Sequence, residues 1–204
     1  MTVSRRNVFG RLVAAAAAGA VAFKASSAVA ETADVTARNG LRDFQRSRVY
    51  DAEHLVHRIF DRSADYPVVE IAGSHLTLPV ERRFGSVEAV ATYVQQVLAL
   101  GWVRATWERA SAPVLVRERS GAGQAHYQRA GSIMAVPGYR AGSGWALREL
   151  VILHELAHHL AGGIEIAHGG AFVDRLLTLV DGVVGPEAAL LLRVTMLDVG
   201  VVIG

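Results

Sequence analysis

The chain has no cysteine among its 204 residues, and that absence removes several kinds of chemistry at once. There can be no disulfide framework, no thiolate metal site and no cysteine-borne lipid anchor. Any metal must be held by imidazole and carboxylate. Lysine is nearly absent too: Lys24 is the only one, and arginine supplies the other cations. Residues 1–30 hold Arg5, Arg6, Arg11 and Lys24 and no acid. The formal charge of +2 therefore leaves the remainder at −2. A body that close to neutral lacks the basic footprint of a nucleic-acid binder. No period of 20–50 residues repeats, and no low-complexity tract follows the Ala-rich start.

An apolar run long enough for a bilayer is also missing. The longest, Leu12 to Phe23, would span only about 18 Å as a helix. Its setting instead reads as an export signal over residues 1–30. Ser4-Arg5-Arg6 opens it, the mild Ala/Gly run follows, and Ala28-Val29-Ala30 supplies a small-x-small cleavage pattern. The paired arginines resemble a twin-arginine signal, with Val8 and Phe9 roughly in its hydrophobic places. The expectation is an exported protein of the envelope or exterior, carried by the twin-arginine machinery. An unprocessed leader on a cytoplasmic protein is the alternative.

What is present is a composition for one globular domain, 51% hydrophobic and 20% charged. Residues 31–41 read as a linker and 42–204 as the domain. Apolar residues at 49, 52, 55, 56, 59 and 60 predict an amphipathic helix over 42–61. Residues 67–79 are β-branched and broken by Ala-Gly-Ser, which reads as strand or hairpin. Ser86 caps a helix that Gly101 ends. Residues 112–137 read as sheet, with a turn at 120–123. Ser143 is placed as the N-cap of a long helix from Trp145 to Ala161, closed by Gly162-Gly163. Residues 171–183 form another helix, and Pro186 opens a last one reaching about Leu197. The whole is an α+β single domain with a small, mostly antiparallel sheet packed on helices.

Within the long helix stands His154-Glu155-Leu156-Ala157-His158, the H-E-x-x-H pattern. Two histidines four apart share one helical face, so both imidazoles reach one ion. Glu155 lies about 100° around the helix from His154. From there it reaches a metal-bound water as general base without ligating. The pattern sits among Leu147, Leu150, Val151 and Leu153, where polar groups are costly unless paired or metal-bound. His168 follows ten residues after His158 and offers a third ligand. Glu165 in the same loop is the competing carboxylate. Three protein ligands leave a fourth tetrahedral position open, as a catalytic zinc site requires. His159 turns away from His158. The longer H-E-x-x-H-x-x-G-x-x-H pattern fails, because Ala161 and Ile164 fill its last two places.

WALRELVILHELAHHL followed by AHGGAFVDRLLTLV resembles a family of small zinc metallohydrolases of actinobacterial type. The likeness extends over roughly residues 42–200, through RDFQRSRVYDAE, AHYQRAGSIMAVP and GPEAALLLRV. The element His168-Gly169-x-x-Phe172 is similar to the third-ligand element of SprT-like metallopeptidases. The resemblance implies a zincin-like fold, zinc on His154, His158 and His168, and Glu155 as base. Unlike SprT-like proteins, this chain has no cysteines for a second zinc and no basic body.

The expected activity is that of a zinc-dependent hydrolase, foremost a metallopeptidase, with Glu155 activating a zinc-bound water. The alternatives are a non-catalytic envelope protein with a structural zinc, and a hydrolase of a non-peptide amide bond. Tyr127 on a strand before the helix is a possible oxyanion donor, with packing the plainer role. His126 shares that strand. Tyr139 and Arg140 are placed on the loop after Pro137-Gly138. Tyr50, His54 and His57 on the first helix, and Trp145, read as structural or solvated.

Overall fold

A computed structural model describes residues 42–71, 73–119, 123–138 and 147–204. The leader, the linker, Tyr139, Arg140, Ser143, Trp145 and most of the 120–123 turn lie outside these residues. The described chain is an α+β unit. Helix α1 (Arg46–Asp61) leads into a hairpin of β1 (Val68–Ile71) and β2 (Ser74–Thr77). Helices α2 (Val87–Ala99) and α3 (Gly101–Thr106) follow, then a single 3₁₀ turn over Glu108–Ser111. Next come β3 (Leu115–Arg119), β4 (His126–Gln128) and β5 (Ile133–Pro137). Three helices close the chain: α4 (Glu149–His159), α5 (Gly170–Val183) and α6 (Pro186–Asp198).

The strands form a two-stranded antiparallel hairpin and a three-stranded sheet ordered β3-β5-β4. β4 runs antiparallel to β5, whereas β3 runs parallel to it, with Val116 opposite Met134. Two of the three ladders are therefore antiparallel. The parallel one arises because β4 folds back onto the outer edge of β5 rather than between the other two. Helix α4 lies against β4 and α5, α5 packs on α6, and α6 packs on α1. α4 is buried on nearly every side, Ile152, Leu153, Leu156 and Ala157 all being 0% exposed. A helix apolar around most of its circumference belongs at the centre of its domain. No helix among the described residues is long and apolar enough to cross a membrane.

Element ends differ from the sequence expectation where polar side chains intervene. Ser86 does cap α2, its Oγ accepting from the Ala89 N–H. Leu100 breaks that helix with an extended backbone, and Gly101 begins α3 rather than serving only as a stop. α4 starts at Glu149, later than the Trp145 expected. Arg148 is extended and bridges to Arg83, and the backbone of 82–84 bonds to residues 147 and 149. Gly185 adopts φ 142° and ψ 160°, a region closed to residues with a Cβ, and Pro186 then opens α6.

Candidate metal centre

The site is built around the buried N-terminus of α4. Arg148 is 1% exposed and donates through Nε to Glu81 Oε1 at 2.8 Å, and through Nη2 to Glu81 Oε2 at 2.5 Å. Glu81 also accepts the Leu150 N–H. Glu149, fully buried, accepts from the Arg82 backbone N–H, the Arg82 guanidinium and the Tyr93 hydroxyl. Glu81 thus satisfies a donor at the helix start, where backbone N–H groups lack helical partners, while Glu149 ties the first turn to Arg82 and Tyr93. The register of the following turns is thereby fixed.

One turn further on, His154 and His158 project together, and the loop after α4 returns His168 to them. Ligand nitrogens of the three rings all lie within 4.8 Å of one another. His154 Nε2 is 3.2 Å from His158 Nε2 and 3.4 Å from His168 Nε2. The outward nitrogens are engaged by carboxylates: His154 Nδ1 with Glu53 Oε1 at 2.7 Å, and His168 Nδ1 with Asp43 Oδ2 at 2.6 Å. A carboxylate only accepts, so each of these Nδ1 atoms carries the proton and each Nε2 turns a lone pair inward. Buried lone pairs facing one another call for a shared cation. An all-imidazole donor set with carboxylates behind it suits a borderline divalent ion such as zinc. This group can therefore hold a metal ion.

Aromatic side chains close the triad on two sides. Phe172, fully buried, stacks on His158 at 4.3 Å between centroids and meets His154 and His168 edge-on at 4.9 and 5.0 Å. Tyr50 stacks on His154 at 5.4 Å and sits tilted against His168 at 5.3 Å. Beside them opens a cleft to which Tyr50, Glu53, His154 and Glu155 contribute.

Burial sets the titration of the cluster. It holds His158 well below the usual histidine range, reinforced by the charges of His154 and His168. His168 is lowered by burial and by His154, against the pull of Asp43. Burial also presses on His154, yet the Glu53 bond and charge, with Glu155, bring its net shift upward. Glu155, 5% exposed, is pushed up by burial, with His154 and the Tyr127 backbone amide opposing. Burial, with the nearby Glu155 and Glu53 charges, takes the Tyr50 phenol to about 12.

The other candidates fall elsewhere. Glu165 pairs with Arg175, whose Nε donates to the Ala157 carbonyl at 2.7 Å, so this carboxylate is spoken for and His168 completes the cluster. His159 is fully buried on another face of α4, between the Tyr127 hydroxyl (2.9 Å to Nδ1) and the Arg109 carbonyl (3.0 Å to Nε2). That bond uses the Tyr127 hydroxyl, which Arg109 also approaches at 3.2 Å. The oxyanion role considered for Tyr127 is thus set aside in favour of packing. His126 and His54 are exposed and His57 is buried; His54 and His57 line the cleft beside Tyr50 without joining the cluster.

Sequence reading missed Asp43 and Glu53. Glu53 carried a signal: it falls on the same stripe of α1 as Val49, Ala52, Val56 and Phe60, and is buried with them. A carboxylate in the apolar stripe of an amphipathic helix implies a buried partner. Asp43 precedes the helix and carried no such mark.

Comparison with protein-family models, with curated proteins and with solved structures finds no match to this chain.

Proposed function

We propose that the chain is a zinc-dependent hydrolase, acting on a peptide or related amide bond, with a zincin-like arrangement of helix and sheet. The observation that carries this reading is the convergence of three imidazole Nε2 atoms beside a buried glutamate at a cleft. His154, His158 and His168 would hold the ion, with Glu53 and Asp43 orienting two of the rings. A divalent ion so held supplies Lewis acidity, polarising a carbonyl and acidifying water. Glu155 accepts a proton from the attacking water and delivers it to the leaving nitrogen. A carboxyl raised by burial suits both halves of that transfer.

The test is Glu155→Gln. The variant is expected to retain stoichiometric zinc while losing turnover of an unbiased peptide library by about 100-fold or more. Undiminished turnover rejects Glu155 as the base. A second reading, a structural zinc in a non-catalytic protein, draws on the burial of His154 and His168 and on the distance the site spans along the chain, from Asp43 to His168. It forecasts that chelation lowers the melting temperature while no library member is cut. A hydrolase of a non-peptide amide would show no peptide cleavage but would turn over simple aryl amides. Export by the twin-arginine route rests on residues 1–30 alone. Mass spectrometry of the native N-terminus tests it: an intact Met1 rejects cleavage.

A further inference from the structure

We infer that Tyr50 is a catalytic residue of this hydrolase, its phenol O–H donating to the oxygen of the scissile carbonyl. The inference rests on the hydrolytic reading above and names a second group for the same site. Phe172 contacts all three imidazoles and is fully buried, so no substrate approaches from its side. Tyr50 lies against two of the same rings, and with Glu155 it lines the cleft. The way to the inward nitrogens therefore passes between a glutamate and a phenol. The glutamate, as base, only accepts. The developing negative charge needs a donor, and among the described residues Tyr50 is a hydroxyl donor that packs directly on the triad. Arg46, one turn earlier on α1, places its guanidinium over the Tyr50 ring, 5.5 Å from its centre.

The step balances without a further reactant. Water's oxygen bonds to the carbonyl carbon and Glu155 takes the water proton. The carbonyl π pair moves to its oxygen, where Tyr50 donates a hydrogen bond and keeps its proton. When the carbon–nitrogen bond breaks, the pair leaves on nitrogen and Glu155 returns the proton there.

Tyr50→Phe removes the hydroxyl and leaves the ring stacked on His154. Zinc affinity is measured by competition with a chromophoric chelator. Binding to the zinc-loaded protein is then measured for two probes, a phosphonate dipeptide (tetrahedral, anionic) and the matching planar N-acetyl dipeptide amide. The expected result is zinc and planar-amide affinities within about threefold of wild type, with phosphonate affinity weakened at least about tenfold. On any substrate found in the library, kcat should fall on the order of 100-fold with KM little changed. Unchanged phosphonate affinity in the variant, with wild type binding the probe, overturns this inference and leaves the hydrolase reading intact. A fall in zinc affinity also overturns it, making Tyr50 a support for the ligands. Failure of zinc-loaded wild type to bind the phosphonate overturns the hydrolase reading itself.

Discussion

His154 Nδ1 donates to Glu53 Oε1 at 2.7 Å, joining two helices across 101 residues of sequence. The bond selects the tautomer whose Nε2 faces His158 and His168, and so links the packing of α1 to the chemistry of α4. Loss of such a carboxylate behind a ligating histidine typically weakens metal affinity about 10- to 100-fold. Glu53→Ala is expected to do so here. Glu53→Gln should lose less, because the amide oxygen still accepts the bond without the charge. Chelator competition reads both.

The helices other than α3, the hairpin and the H-E-x-x-H pair were legible because each depends on local spacing. The apolar stripe of α1, Ser86 before α2 and Pro186 before α6 are signals carried within a turn or two. His168 was legible as a ligand type in the right loop, and only tertiary pairing separates it from Glu165, through Arg175. What stayed hidden depends on contacts between distant segments. Asp43 meets a residue 125 positions away, and the Arg148–Glu81 pair delays the start of α4. The Tyr127 hydroxyl was open to an oxyanion role until His159 and Arg109 were placed beside it.

Gln45 is fully buried at the entry to α1. Its amide donates to the His168 carbonyl at 2.7 Å and to the Val202 carbonyl at 3.1 Å, and its oxygen accepts the Val202 N–H at 3.0 Å. The backbone of the third ligand is thus tied to the C-terminal tail through one side chain. Gln45→Ala leaves these groups without their partner, at a cost of about 2–3 kcal/mol in unfolding free energy. Chemical denaturation should show that loss, with weaker zinc binding beside it. Gln45→Glu cannot donate to either carbonyl and should be no better tolerated.

Breaking the Arg148–Glu81 pair is expected to be more severe. Both side chains are buried, so Glu81→Ala leaves the guanidinium only the His57 carbonyl and the more distant Asp61 carboxylate at 3.4 Å, and breaking such a buried pair costs up to about 3–5 kcal/mol. Denaturant midpoints should fall accordingly. A loss below 1 kcal/mol, roughly that of an exposed ion pair, would contradict the role given to this pair in fixing the start of α4.

Acid should destabilise the metal-free fold. Burial lowers His57 to about 2, with the Arg148 charge adding to it, and lowers His159 to about 4, with Arg109 contributing. Both lie below the ordinary value near 6.5, so the unfolded chain binds protons that the folded chain refuses. Stability is whole above about pH 6.5 and declines as the solution is acidified, towards about 4 for His159 and about 2 for His57, by up to about 1.4 kcal/mol per pH unit for each group. In chelator, the melting temperature should drop between pH 7 and pH 5. His57→Gln should flatten that slope.

The central claim is that three imidazoles share one divalent ion, and X-ray absorption at the zinc edge of the loaded full-length protein addresses it most directly. The account expects one zinc per chain, three imidazole nitrogens at about 2.0–2.1 Å and one further light atom, with one imidazole lost in His168→Ala. A zinc shell holding fewer than three imidazoles in the wild type, or one unchanged by His168→Ala, would contradict it.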